Sequence, residues 1–145
     1  MAVNRRLPRS LAAEQVVAIL AACEHQRDRF LFALLAETGM RVGQALGLRH
    51  ADFVSRRREL HIVPRADNAN GARAKVATTA VIPISAPLVR LYSDYMHTEY
   101  GGCDSDYVFV NLWGGRRGHP LTYATVHKLV ALLRARSGVE FTAHC

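Results

Sequence analysis

Lysine is nearly missing from this 145-residue chain: of its 19 basic residues only Lys75 and Lys128 are lysine, and the rest are arginine. Acidic residues are also scarce, 12 in all, which leaves a net charge of +7. That balance points toward a polyanionic partner, with nucleic acid the first candidate. A basic protein with no such partner is the bland alternative. No apolar run approaches the roughly 20 residues of a membrane span. Residues 1–6 carry charge, but no hydrophobic stretch follows before Pro8, so the N-terminus does not read as a signal peptide. Three cysteines, Cys23, Cys103 and Cys145, lie far apart and form neither a disulfide framework nor a metal spacing. Cys23 reads as core, and the compartment as reducing, that is, cytoplasmic. The histidines show no paired ligand spacing, so no metal site is expected, and nothing asks for a cofactor or a small-molecule substrate. There is no internal repeat, low-complexity segment or interdomain linker. Half of the residues are hydrophobic and 21% are charged, the composition of a soluble globular chain.

Hydrophobic spacing then divides the chain. Residues 1–9, with Arg5, Arg6 and Arg9 around Pro8, read as a flexible basic arm able to lie along phosphates; residues 10–145 read as one domain. Ser10 is the expected N-cap of a helix over 11–23 with Val16, Leu20 and Cys23 inward. A polar connection, Glu24 to Asp28, leads to a helix over 28–38 that buries Phe30, Leu31, Leu34 and Leu35. A short helix over 42–48 follows. Arg56, Arg57 and Arg58 make a basic turn into a strand, Glu59 to Val63, ended by Pro64. Residues 65–77 lack an apolar face, and residues 80–84 return as the second strand of a hairpin; a connection of that length is functional or disordered. The next helix, 86–99, starts at Ser85 or Pro87 and carries the cleanest stripe, Leu88, Leu91, Tyr92, Tyr95 and Met96. Tyr107 to Val110 reads as a short buried strand, Asn111 to Pro120 as a loop bearing Arg116, Arg117 and His119, and Thr122 as the cap of a last helix over 123–136. The fold class is α+β, mainly helical, with one small antiparallel hairpin.

The chain turns on one stretch, Glu37-Thr38-Gly39-Met40-Arg41-Val42-Gly43-Gln44-Ala45-Leu46-Gly47-Leu48-Arg49. Gly39 stands where a helix C-terminus wants positive φ. Arg41 comes at once, at the start of the next helix, where a rigid backbone and the helix N-terminus would favour an oxyanion, phosphate above all, because the guanidinium fork offers two parallel hydrogen bonds. A structural arginine paired with a carboxylate or a carbonyl is the competing reading, and the residues alone leave both open.

Thr38-Gly39-x-Arg41 resembles the first arginine motif of the tyrosine recombinases, the phage-integrase family, and Leu46-Gly47-Leu48 matches a common continuation. Gln44 departs from the pattern, which usually has Glu or Asp there. The order of elements over residues 10–144 is similar to the N-terminal part of that family's catalytic domain, so a partial recombinase catalytic fold is expected. The resemblance implies that Arg41 stabilises charge on a DNA phosphate. It implies that Lys75, in the hairpin connection before Val81-Ile82-Pro83, is the general acid for the leaving 5′-hydroxyl. Lysine can release a proton where arginine cannot, which suits that role; Arg73 is the alternative residue. Phe141-Thr142-Ala143-His144 looks like the beginning of the family's His-x-x-Arg motif. The second arginine and the nucleophilic tyrosine have no counterpart, and none of Tyr92, Tyr95, Tyr100, Tyr107 or Tyr123 suits the nucleophile, Tyr100 being at most an exposed surface residue. The expectation is therefore a truncated recombinase domain in DNA recombination or integration, with Arg41, Lys75 and His144 as catalytic-site residues and Arg5, Arg6, Arg56, Arg57, Arg73, Arg116 and Arg117 as DNA contacts. Such a domain is expected not to cleave DNA alone, and with about ten residues ahead of the first helix no core-binding domain is expected before it. Apolar surface left open on helices 86–99 and 123–136 would favour self-association or pairing with recombinase protomers. A non-catalytic DNA-binding or regulatory protein of the same descent is the alternative. A helix-turn-helix over 28–48 is disfavoured, because Val42 to Leu48 offers base edges little beyond Gln44.

Overall fold

The computed structural model describes residues 11–65, 68–72 and 78–142. Among the described residues, five α-helices pack mainly against one another beside a small sheet: α1 (Ala13–Ala22), α2 (Gln26–Thr38), α3 (Val42–Leu46), α4 (Ala86–Tyr95) and α5 (Tyr123–Ser137). The strands are β1 (Phe53–Val54), β2 (Glu59–Ile62) and β3 (Ala80–Pro83), antiparallel in the order β1-β2-β3. Leu60 on the central strand faces Phe53 on one side and Ile82 on the other. The mainly helical α+β reading holds, and so does the hairpin. The third strand was not anticipated: two residues are too short to show an alternating pattern.

The core forms around α2. Phe30, Leu31, Phe32, Leu34 and Leu35 are all buried, so this helix is covered on more than one face. Phe30 meets Phe53, Tyr92, Tyr95 and Phe109 in one aromatic cluster. Phe32 packs edge-on against Phe141.

Local signals place several helix ends well. Thr122 caps α5 through Thr125 N–H, Ser85 caps α4 through Leu88 N–H, and Gly39 ends α2 at φ 66°. Other ends differ. α1 starts at Ala13 with Ala12 as its N-cap, held by the Gln15 carboxamide at 2.8 Å, and Ser10 lies outside the described residues. α2 starts two residues earlier than its spacing suggests. The Glu99 carboxylate accepts the backbone N–H of Gln26 at 2.7 Å and of Arg27 at 2.8 Å, a cap supplied from 72 and 73 residues away. The stretch Glu24 to Asp28 is not an open polar connection either. Arg27 and Asp28 are buried and paired at 2.9 Å, and Arg27 also donates to the carbonyl of Val110. α4 gives way at Met96–Tyr100 to a wider π-turn.

Residues 107–110 form no ladder. They run extended through the core, Val108 to Val110 fully buried, tied by isolated bridges at Arg49–Tyr107 and Val110–Pro120. Tyr95 donates to the carbonyl of Val108 at 2.7 Å, and burial pushes its phenol far up. Tyr100, expected at the surface, is instead buried. It donates to the carbonyl of Tyr107 at 2.6 Å, and its phenol is pushed up to about 12, chiefly by burial. Cys23 is core as expected, its thiol pushed up to about 12 by desolvation.

The helix faces expected to stay open are largely covered. α5 buries Val126, Val130 and Leu133, and α4 buries Leu88 and Tyr95. An open apolar groove of about 380 Å³ remains between α1, α2 and α4, lined by Val16, Leu20, Ala33 and Leu91. Among the described residues, no helix is long and apolar enough to cross a membrane.

His50 makes the fold sensitive to acid. Its Nδ1 lies 2.8 Å from the Tyr92 hydroxyl, and its ring meets Tyr100 edge-on. Burial lowers its pKa below the ordinary value, with the Asp106 carboxylate opposing. The unfolded chain therefore binds this proton first. The contribution of neutral His50 is whole above roughly pH 6.5 and is lost as pH falls through the folded-state value. Urea unfolding at pH 7.5 and pH 5.5 is expected to show lower stability at the acid point, and His50→Gln is expected to reduce that difference.

Candidate nucleic-acid interface

The arginine turn is built from backbone bonds on both sides of Arg41. The Thr38 hydroxyl donates to the carbonyl of Leu34 at 2.7 Å and accepts from Met40 N–H at 3.2 Å, fastening the turn to the end of α2. Arg41 is the N-cap of α3. Its N–H donates to the Gln44 carboxamide oxygen at 2.8 Å, and its carbonyl accepts from Gln44 and Ala45 N–H. Val42, Gly43, Ala45 and Leu46 are buried beneath it. The backbone of Arg41 is thus held at both polar atoms.

The guanidinium is not held. It is partly exposed and makes no hydrogen bond or ion pair among the described residues. Other arginines show what a structural role looks like here. Arg65 grips Asp52 with both terminal nitrogens, the second at 3.0 Å. Arg29 donates to the carbonyls of Leu20 and Cys23, and Arg136 pairs with Glu24 at 2.6 Å. Arg41 has no such partner among the described residues. One expected aid is weak, however: with five residues α3 spans little more than a turn, so its dipole adds little. A groove-reading role for α3 is excluded by the burial of four of its five residues.

The far end of α3 is fastened by the start of the β2–β3 connection. Asn70 donates from one carboxamide nitrogen to the carbonyls of Leu46, at 3.1 Å, and Leu121, at 2.7 Å. Asn68 donates to the carbonyl of Ala72 at 2.8 Å and accepts from the Arg49 guanidinium at 2.7 Å. Arg49 also lies 4.3 Å from the centre of the Tyr107 ring, whose hydroxyl accepts from Ala69 N–H at 3.0 Å. A Cβ at Gly47 would sit 2.7 Å from the Asn68 amide nitrogen, so any larger residue there must displace Asn68. The sequence assigns no role at this turn to Asn68, Asn70, Asp52, Arg65, Arg49 or Tyr107. The Asn-Ala-Asn-Gly run is a turn signal that could have raised the two asparagines; their distant partners leave no local trace.

The remaining candidates scatter. Arg56 and Arg57 are exposed on a 3₁₀ turn, and the αL residue Arg58 that follows, at φ 51°, returns the chain into β2. Arg116 and Arg117 are exposed on the loop after Val110; Arg117 donates to the carbonyl of Leu112 at 3.3 Å. Both arginines border a cleft of about 430 Å³ that also holds Asp104 and Asp106, so their positive field is partly offset. Arg5, Arg6, Arg73, Lys75 and His144 lie outside the described residues. Among the described residues, no three His, Cys, Asp or Glu side chains come together as a metal set.

Comparison with known proteins fits this frame. The model of the phage integrase family matches residues 9–145, and the chain belongs to that family. Transposase A from transposon Tn554 of Staphylococcus aureus is 38% identical over 143 residues, which is 98% of this chain and 40% of the transposase. Tyrosine recombinase XerC of Methylobacterium sp. (strain 4-46) is 32% identical over 153 residues, 97% of this chain and 43% of the relative. The crystal structure of XerA recombinase superposes with a TM-score of 0.72 at 18% identity, over 93% of this chain and 45% of that one. XerH recombinase bound to its difH substrate gives 0.64 at 23% identity, over 93% and 38%. The fold is therefore a partial recombinase catalytic fold, and the chain spans about two fifths of the length of these curated relatives.

The anchoring at Gly47 predicts non-additive mutations. Gly47→Ala should cost about 1–3 kcal/mol in urea unfolding, by displacing Asn68 from Arg49 and Ala72. In an Asn68→Ala background the same change should be nearly neutral.

Proposed function

We propose that this chain is the phosphate-binding part of a site-specific DNA recombinase. The observation that carries the reading is Arg41, a guanidinium without a protein partner among the described residues on a backbone fixed at both polar atoms. Such a group costs little to reorganise when a phosphate arrives, and its two parallel hydrogen bonds match a pair of non-bridging oxygens. Net charge of +7 supplies the long-range attraction. Arg56, Arg57, Arg116 and Arg117 add backbone contacts, as do Arg5 and Arg6 of the arm over residues 1–9 and Arg73.

In this reading Lys75 protonates the leaving 5′-hydroxyl and His144 sits beside the same phosphate. Family membership and the strong match to a transposase support DNA recombination, in transposition or integration, as the process. The attacking tyrosine comes from outside these 145 residues. Phenols of this chain already serve the fold: Tyr92 with His50, Tyr95 with Val108, Tyr100 with Tyr107, and Tyr107 with Ala69 and Arg49. The working partners are duplex DNA and further recombinase protomers, and the working location is the bacterial nucleoid. A non-catalytic DNA-binding protein of the same descent is the second reading, favoured by those same engaged phenols; it needs Arg41 but not Lys75.

Binding of a short duplex, followed by fluorescence anisotropy across a salt series, tests the proposal. Arg41→Ala should lower affinity several-fold and reduce the slope of log K against log salt by roughly 0.9, the loss of one phosphate contact. Unchanged affinity and slope would remove Arg41 from the interface.

A further inference from the structure

Gln44 holds Arg41 with only one end of its carboxamide. The oxygen accepts the Arg41 N–H at 2.8 Å. Which end faces that N–H is fixed by chemistry: a backbone N–H needs an acceptor, so the oxygen takes the contact and the amide nitrogen is turned away from it. That nitrogen carries two donor hydrogens and makes no hydrogen bond among the described residues. Gln44 is partly exposed, as Arg41 is, so both reach solvent from the same turn.

The other glutamines make the contrast. Gln15 also turns its oxygen to a helix N-cap, at Ala12, but on α1, with no arginine in that turn. Gln26 accepts from the Arg29 guanidinium at 2.9 Å and serves the protein itself. Of the three glutamines, Gln44 joins a spare amide donor to a turn whose guanidinium has no partner among the described residues.

Charge favours an anion here. Gln44 borders a small cavity with Gly47, Asp52, Arg65 and Asn68. The only carboxylate in that set, Asp52, is gripped by Arg65 at two atoms and also accepts Arg49 N–H at 3.0 Å. A glutamate at position 44 could still cap Arg41, but it would offer no donor and would set a negative charge beside the guanidinium.

We propose that Gln44 is a second phosphate ligand of this turn: its oxygen fixes the Arg41 backbone, and its amide nitrogen donates to the phosphate that the Arg41 guanidinium grips. This rests on the reading of Arg41 as a phosphate-binding residue. It makes Gln44 at once the positioning residue for Arg41 and a direct contact, a combination open to an amide and closed to a carboxylate.

The chain has three glutamines, so its glutamine side-chain amides give three pairs of ¹⁵N–¹H signals. Adding a short duplex to the ¹⁵N-labelled chain should shift the Gln44 pair and leave the Gln15 and Gln26 pairs in place. Gln44→Glu, which keeps the cap, should weaken duplex binding about tenfold through the added charge, and Gln44→Met should weaken it several-fold with no change in charge. If the Gln44 pair stays still while the Arg41 Nε–H signal moves, this inference is overturned and the reading of Arg41 stands. If neither signal moves, both are overturned. The NMR arm uses the unaltered chain, so it decides even where a variant fails to fold.

Discussion

A helix of five residues cannot stand by itself. Nucleating its first turn costs more than its few hydrogen bonds return, and most of its backbone groups are terminal. α3 exists because side chains close both of its ends and its inward face is buried. At the front Gln44 takes the Arg41 N–H; at the back Asn70 takes the carbonyl of Leu46. Everything the site offers depends on that closure, because Arg41 is placed by backbone alone. An arginine whose side chain were enlisted to hold the fold, as Arg65 and Arg29 are, would have nothing left to give a ligand.

The division of labour extends outward. Several buried polar groups away from the turn are satisfied internally. Arg27 pairs with Asp28 and Val110, and Glu99 caps α2. Tyr95 and Tyr100 donate to carbonyls of the extended run at 107–110, which no ladder supports. These bonds join the π-turn, α2 and that run into a rigid platform beneath the aromatic cluster of Phe30, Phe53, Tyr92 and Phe109. That support lets a short loop hold the Arg41 backbone in one place, so that a phosphate meets a guanidinium whose point of attachment is already fixed.

Much of this was legible in the sequence, for local reasons. Gly39, Ser85 and Thr122 act through their own backbone or a neighbour three residues on, so their spacing is visible in the chain. The buried face of α2 follows its periodicity. The arginine motif carried the family, and the family model agrees over residues 9–145. What stayed hidden acts at a distance. The start of α2 is set by Glu99, more than 70 residues away, and Tyr100 is buried by partners in the run after it. The asparagines at 68 and 70 stand in a connection without an apolar face, and nothing near them in sequence names Leu46, Arg49 or Leu121.

A crystal structure of this chain with duplex DNA tests the central claim most directly. The account predicts the Arg41 guanidinium at about 2.7–2.9 Å from two oxygens of one phosphate, as charge-assisted pairs of this kind are, with the 38–47 backbone where it stands now. An Arg41 side chain turned onto a protein carboxylate or carbonyl, with the phosphates elsewhere, would contradict it.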